Sequence, residues 1–496
     1  MNIQKIKTLG DLKASGYIHR SIKTELRENL IGKLKEHSSV FDGIFGYEDS
    51  VIPDMERAIL SQHDINLLGL RGQAKTKIAR MMTALLDEYI PVIEGSEIND
   101  DPLQPISWYG REKIKEMGDD TPVAWLHRND RYTEKLATPD VSVADLIGDV
   151  DPIKAATLKL PYSDERVIHF GLIPRSHRAI FVINELPDLQ ARIQVSLFNI
   201  LQEGDIQIRG FKLRMPLDIQ FVFTANPEDY TNRGSIVTPL KDRISSQIIT
   251  HYPQNIETGK KITHQEAIIP PEQEKRVIVD ELAKDIIEQV AIEARNSEYV
   301  DGKSGVSARL TISAFENLVS AAERRSLLND EDKVNIRVSD LVGIIPAITG
   351  KIELVYEGEQ EGPLIVAHNL VGKAIRSLFV EFFPDPERER KKEDNKFKTI
   401  IDWFGEGHTL DMLNDDPTGI YKIKLSTIPG LENLVDEHTK GLDLASKLFL
   451  MEFALHGLAE YSLLGKQRLG TGTQFKDLIS GMFTMPEGSD EEEFEN

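Results

Sequence analysis

Residues Gly69 to Lys77 read GLRGQAKTK, between the apolar run Ile65–Leu68 and the segment Ile78-Ala79-Arg80-Met81-Met82. Gly69, Lys75 and Thr76 stand at the offsets of G-x-x-x-x-G-K-[ST], with Gly72 inside the loop and Ala74 in the slot of the last glycine. Such a loop turns backbone N–H groups inward around phosphate oxygens. Its lysine reaches the β- and γ-phosphates, and its hydroxyl holds Mg2+. The Ala74 slot lies at a helix start, where a near-helical backbone is expected to accept a methyl group. A positive φ there would disfavour it.

Three further stretches carry compatible chemistry. Ala179-Ile180-Phe181-Val182-Ile183 is an apolar run ending in Asn184-Glu185. A second nucleotide-site strand ends in such a polar pair because the first residue orients Mg2+ and the second polarises the attacking water. Glu185 fills the second role; Asn184 occupies the first without a charge. Asp218 to Pro227, DIQFVFTANP, places Asn226 at a strand end, where an amide can bond a γ-phosphate and align that water. Thr238 to Ile244, TPLKDRI, offers Arg243 as a cation for a neighbouring subunit's γ-phosphate. Read alone, Asn184-Glu185 is equally a helix cap, Asn226 a turn residue before proline and Arg243 a surface ion-pair partner.

Residues 1–40 read as a charged helical lead-in, with Ile22, Leu26, Leu30, Ile31 and Leu34 near a 3.6 period. Over 41–255, short apolar strands, among them Ile65–Leu68, Ile180–Ile183 and Ile219–Thr224, alternate with helical stretches. This pattern suits a parallel sheet covered on both faces. The polar region 95–170 reads as insertions on that core, and Trp108, Tyr109, Trp125 and Tyr132 within it read as stabilising an insertion. Residues 256–350 and 351–482 are helix-rich, Pro384 to Lys396 reads as a linker or exposed loop, and 483–496 form an acidic tail.

Composition narrows the classes. The 496 residues carry 59 basic and 81 acidic side chains, a net charge of −22, which disfavours broad nucleic-acid affinity. Cysteine is absent, so disulfides and thiolate metal sites are excluded. The twelve histidines include no H-x-x-x-H pair. No run of about 18 apolar residues predicts a membrane span. The N-terminus lacks a secretory pattern, so a cytoplasmic protein is expected.

Taken together, the loop, the Asn184-Glu185 strand, Asn226 and Arg243 stand in the order Walker A, Walker B, sensor 1 and arginine finger. The chain therefore resembles an AAA+ ATPase, of the clade of the magnesium chelatase small subunit and the MoxR proteins. Residues 137–155 (ATPDVSVADLIGDVDPIKA) are similar to the segment ahead of Walker B. Residues 169–186 (HFGLIPRSHRAIFVINEL) resemble the run into it, and 201–230 the β-hairpin and sensor 1. The resemblance covers roughly residues 41–350.

It implies an α/β fold: a parallel-sheet P-loop core with a helical lid, here followed by a helix-rich C-terminal region. It implies ATP and Mg2+ as cofactors, bound by Gly69, Gly72, Gln73, Ala74, Lys75, Thr76 and Lys77, with Gly46 and Tyr47 opening the adenine-contacting segment. Thr76 and Asn184 are the metal-side residues. Glu185 activates water, Asn226 is sensor 1, Arg243 the arginine finger with Arg233 its rival, and Arg309 sensor 2. The family usually has aspartate where Asn184 stands, so weaker Mg2+ binding or slow turnover is expected, and Asn184→Asp is expected to speed turnover if the missing charge is limiting. A homo-hexameric ring acting on a partner with a von Willebrand factor A domain is implied, with chaperone-like remodelling favoured over metal insertion into a porphyrin. An AAA+ transcription activator, for which the GAFTGA loop is lacking, and a non-hydrolysing nucleotide-dependent scaffold are the alternatives.

Overall fold

The computed structural model describes residues 3–162, 164–206, 208, 215–227, 235–392 and 394–478. Arg233 and the acidic tail from 483 lie outside the described residues. The chain forms two compact units, Met1–Tyr252 and Pro253–Asn496.

The first unit is built on a five-stranded sheet of β1 (Ile65–Leu68), β2 (Tyr132–Leu136), β3 (Ala179–Asn184), β4 (Ile219–Ala225) and β5 (Ser246–Ile249), in the order β5-β1-β4-β3-β2. Every neighbouring pair is parallel. The three apolar runs recognised in the sequence are the three central strands. Alternate residues of each enter opposite cores, which is why they read as continuous apolar runs. Phe181, Ile183, Phe221 and Phe223 join one cluster. Ile65, Leu67, Ile180, Val182 and Val222 join the other, together with Ile78 and Ala79 of the helix Lys75–Met81. On the first face Phe221 meets Phe181 edge-on at 5.9 Å and stacks on Phe223 at 5.8 Å.

The reading of 95–170 as pure insertion is corrected by β2, an edge strand of the main sheet. Its sequence, YTEKL, is half polar because only one neighbour covers it. The aromatic residues of this region brace it: the Trp125 indole N–H donates to the Ile6 carbonyl at 3.1 Å and the Tyr109 hydroxyl to the Glu94 carbonyl at 3.0 Å.

The lead-in helix Ile22–Lys35 packs on the sheet through Ile22, Leu26 and Leu30, while Leu34 is exposed. Beside this stripe Arg131 forks onto both oxygens of Glu25 at 2.7 and 2.6 Å, and both side chains are almost fully buried. Arg131 directly precedes β2, so the pair fixes that edge strand against the helix.

The second unit holds one apolar cluster running from Val277 to Phe475. Its long helices are Glu281–Asn296, Arg309–Leu328, Pro363–Phe382 and Leu444–Glu460. The segment expected as a linker does not separate two cores, because Phe383 and Phe397 on either side of it are buried in this one. The helix-rich reading of 351–482 missed a three-stranded antiparallel sheet of Leu410–Leu413, Gly472–Lys476 and Gly465–Leu469. These strands are short and mix polar with apolar residues, so they carry no long apolar run.

Removing one partner of a buried ion pair leaves the other charge without compensation. Glu25→Ala is expected to destabilise the first unit by about 3–5 kcal/mol in a urea titration. A loss below about 1 kcal/mol, the value of an exposed pair, would contradict the stated burial.

Candidate nucleotide site

Parallel pairing sets Leu68 beside Ala225, and Phe223 beside Ile183. The segments that follow β1, β3 and β4 therefore leave the sheet at one edge. They are the loop from Gly69, the pair Asn184-Glu185 and Asn226.

The loop has glycine where a side chain cannot fit. A Cβ on Gly69 would lie 2.0 Å from the Thr250 hydroxyl and 2.2 Å from the Gln73 amide oxygen. Those two groups are hydrogen-bonded to each other at 2.6 Å, with Thr250 donating. Gly72 has φ +75°, in the left-handed region glycine tolerates. The buried Tyr47 hydroxyl bonds to the carbonyls of Gln73 at 3.1 Å and His251 at 2.7 Å. Burial pushes its phenol up to about 12, so it remains a neutral donor. Tyr47 thereby joins the segment after Gly46 to the glycine loop. Tyr252 adds a bond to the Arg71 carbonyl at 3.0 Å.

Ala74 departs from expectation. It caps the helix Lys75–Met81 with φ +55° and ψ +15°, a left-handed conformation rather than a near-helical one. The methyl group is accepted at a strain cost, not because the position is regular. Glu185 is also left-handed, at φ +56° and ψ +48°.

The side chains converge from all three strand ends. The Lys75 ammonium donates to the Gly69 carbonyl, to the Leu70 carbonyl at 2.8 Å and to the Asn226 side-chain oxygen at 2.9 Å. The Thr76 hydroxyl donates to Asn184 Oδ1 at 3.2 Å. Thr224 donates to the same oxygen at 3.0 Å and accepts the Glu185 backbone N–H at 3.2 Å. Asn184 Nδ2 donates to Glu134 Oε1 at 2.6 Å. The structure thus brings together Lys75, Thr76, Asn184, Glu185 and Asn226. Lys77 is half-buried on the same helix.

Arg243 is engaged elsewhere. Its guanidinium bonds to Gln202 Oε1 at 2.7 and 3.0 Å and to the Pro239 carbonyl at 2.7 Å, and it covers the Phe198 ring. Arg309 is the exposed first residue of the helix Arg309–Leu328 in the second unit.

Sequence reasoning missed Glu134 and the hydroxyls of Thr224 and Thr250. Thr224 and Thr250 are buried and indistinguishable by type from core threonines. Glu134 lies in the region taken for an insertion.

A parallel sheet with a glycine loop between its second-placed strand and a helix defines the architecture of this unit. Its fold is the P-loop α/β core expected of an AAA+ ATPase. No protein-family model matches the chain. Solved structures similar to it include the complex of subunits BchI and BchD of magnesium chelatase, at 20% identity over 64% of this chain and 97% of that one, with a TM-score of 0.32. A putative ATPase from Cytophaga hutchinsonii matches at 17% identity over 74% and 98%, TM-score 0.29. NtrX from Brucella abortus in complex with ATP matches at 14% identity over 80% and 73%, TM-score 0.34. The fold assignment rests on the strand order and the loop. Among the described residues, no helix is long and apolar enough to cross a membrane.

A left-handed alanine costs about 1–2 kcal/mol, against about 0.5–1 kcal/mol of extra chain entropy for glycine. Ala74→Gly is therefore expected to stabilise the first unit by about 0.5–1 kcal/mol in denaturant unfolding. Destabilisation would show that the alanine backbone is unstrained.

Proposed function

We propose that this protein binds ATP with Mg2+ at the Gly69–Lys77 loop, hydrolyses it, and works as an AAA+ ring that remodels a partner. The observation that carries this reading is the meeting of Lys75 with Asn226, and of Thr76 with Asn184, from three separate strand ends.

Each group has a role in that reaction. Lys75 faces the β- and γ-phosphates with a positive charge, and the loop N–H groups of Gly69 to Ala74 line their oxygens. Asn226, already within hydrogen-bond reach of Lys75, contacts the γ-phosphate and helps place the attacking water. Glu185 polarises that water, its backbone held by Thr224. The groups beside Thr76 are all oxygen donors, namely the Thr76 and Thr224 hydroxyls and Asn184 Oδ1, a set that suits a hard cation such as Mg2+. When bound, Mg2+ neutralises charge developing on the phosphate oxygens. Gly46 and Tyr47 border the adenine segment. Arg243, which in this structure bonds Gln202 and the Pro239 carbonyl, would have to leave them to act as the arginine presented to a neighbouring subunit, and Arg309 is the sensor 2 residue.

The resemblance to the magnesium chelatase and MoxR clade supports a homo-hexamer and a partner with a von Willebrand factor A domain, with chaperone-like remodelling as the output. Asn184 favours one other reading, a scaffold that binds nucleotide without turnover. Phosphate release from the wild-type protein separates the two.

Lys75→Ala is expected to weaken ATP binding by roughly 1.5–3 kcal/mol for each charge-assisted hydrogen bond lost, with the melting temperature preserved. Binding of labelled ATP equal to wild type would refute the loop assignment. Glu185→Gln is expected to keep ATP binding and lower turnover by about 100-fold or more, accumulating as an ATP-bound oligomer. A monomer in sedimentation at saturating ATP would contradict the ring.

A further inference from the structure

Glu134 is the carboxylate bonded to the Asn184 side chain, and no sequence motif points to it. Glu134 and Asn184 belong to adjacent parallel strands, with Glu134 opposite Val182 and Leu136 opposite Asn184. Asn184 shares the strand face of Ile180 and Val182, which is also the face covered by the helix Lys75–Met81. On that helix Thr76 and Arg80 are four residues apart and so lie on one side. Thr76 meets Asn184, while Arg80 Nη2 meets Glu134 Oε2 at 2.9 Å. Tyr132 donates to the same Oε2 at 3.1 Å. The second oxygen, Oε1, takes the Asn184 amide at 2.6 Å.

An amide in this place has one orientation that satisfies its neighbours. Its oxygen accepts from Thr76 and Thr224, and its nitrogen donates to Glu134. The carboxylate therefore fixes the oxygen of Asn184 toward Thr76, and it holds a negative charge one hydrogen bond behind that oxygen. Arg80 pairs with the same carboxylate, but its guanidinium is largely exposed to solvent, so screening leaves it offsetting that charge only in part.

We propose that Glu134 supplies, through Asn184, the negative charge that Asn184 lacks, making it a positioning residue for the Mg2+ of a bound nucleotide. The inference rests on the nucleotide-site reading given above. It also reverses an expectation from sequence: an aspartate at 184 would face Glu134 across a 2.6 Å contact. Two carboxylates at that separation repel, so Asn184→Asp alone disrupts the site rather than improving it.

The test is a charge swap in the full chain, with Mn2+ as the probe. Mn2+ binding to the complex with a non-hydrolysable ATP analogue is measured by electron paramagnetic resonance, and nucleotide binding is measured separately without metal. Glu134→Gln keeps an oxygen to accept from Asn184 and removes only the charge. It is expected to weaken Mn2+ by about 10–100-fold, the usual effect of an outer partner of a metal ligand, with metal-free nucleotide binding unchanged. The double variant E134Q/N184D returns the charge to position 184 and is expected to recover most of that loss. Asn184→Asp alone is expected to melt below wild type, and adding Glu134→Gln to restore the melting temperature. Wild-type Mn2+ affinity in Glu134→Gln, or a swap that recovers neither affinity nor melting temperature, overturns the proposal. A wild-type protein that binds no nucleotide overturns the nucleotide-site reading, and this proposal with it.

Discussion

Parallel register among the three central strands is the constraint on which the site depends. Hydrogen bonding fixes β1 against β4 and β4 against β3, so their carboxyl ends emerge at one edge. Everything with chemical character follows from that edge. Residues separated by more than a hundred positions, such as Thr76 and Asn184, come within one hydrogen bond of each other without any local sequence link. A register slip of one residue would turn Asn184 to the opposite face of its strand and dissolve the arrangement.

The edge holds strain as well as polar groups. Ala74 and Glu185 are both left-handed without being glycine. Each conformation costs on the order of 1–3 kcal/mol and persists because its surroundings over-determine it. For Ala74 those surroundings are the loop anchors, Tyr47 on Gln73 and Thr250 on the Gln73 side chain. For Glu185 they are the Thr224 hydroxyl and the end of β3. The same threonine serves Asn184, so one buried hydroxyl orders both members of the polar pair.

Much of this was legible in the sequence, for a physical reason. Strands buried on both faces are apolar almost throughout, so β1, β3 and β4 announce themselves, and the polar residues at the ends of β3 and β4, Asn184 and Asn226, stand out. Edge strands are not bound by that rule. β2 reads YTEKL and β5 reads SQII, and neither rises above a loop in pattern. The importance of Glu134 was hidden with β2, since its partner Asn184 is fifty positions away and becomes a neighbour only through strand pairing. The conformation of Ala74 was hidden for a different reason. Alanine is ordinary in a helix, and only the path of the chain around the loop forces a positive φ. In the second unit the small antiparallel sheet was missed because each strand has four or five residues and half of them are polar.

The most direct measurement is a crystal structure of the full chain grown with a non-hydrolysable ATP analogue and Mn2+. The account predicts the triphosphate inside the Gly69–Lys75 loop, with the Lys75 ammonium moved from the loop carbonyls onto phosphate oxygens. It predicts an anomalous peak for Mn2+ beside the Thr76 hydroxyl, on the side of Asn184. Nucleotide density elsewhere on the protein, or a loop unchanged at saturating analogue, would contradict it.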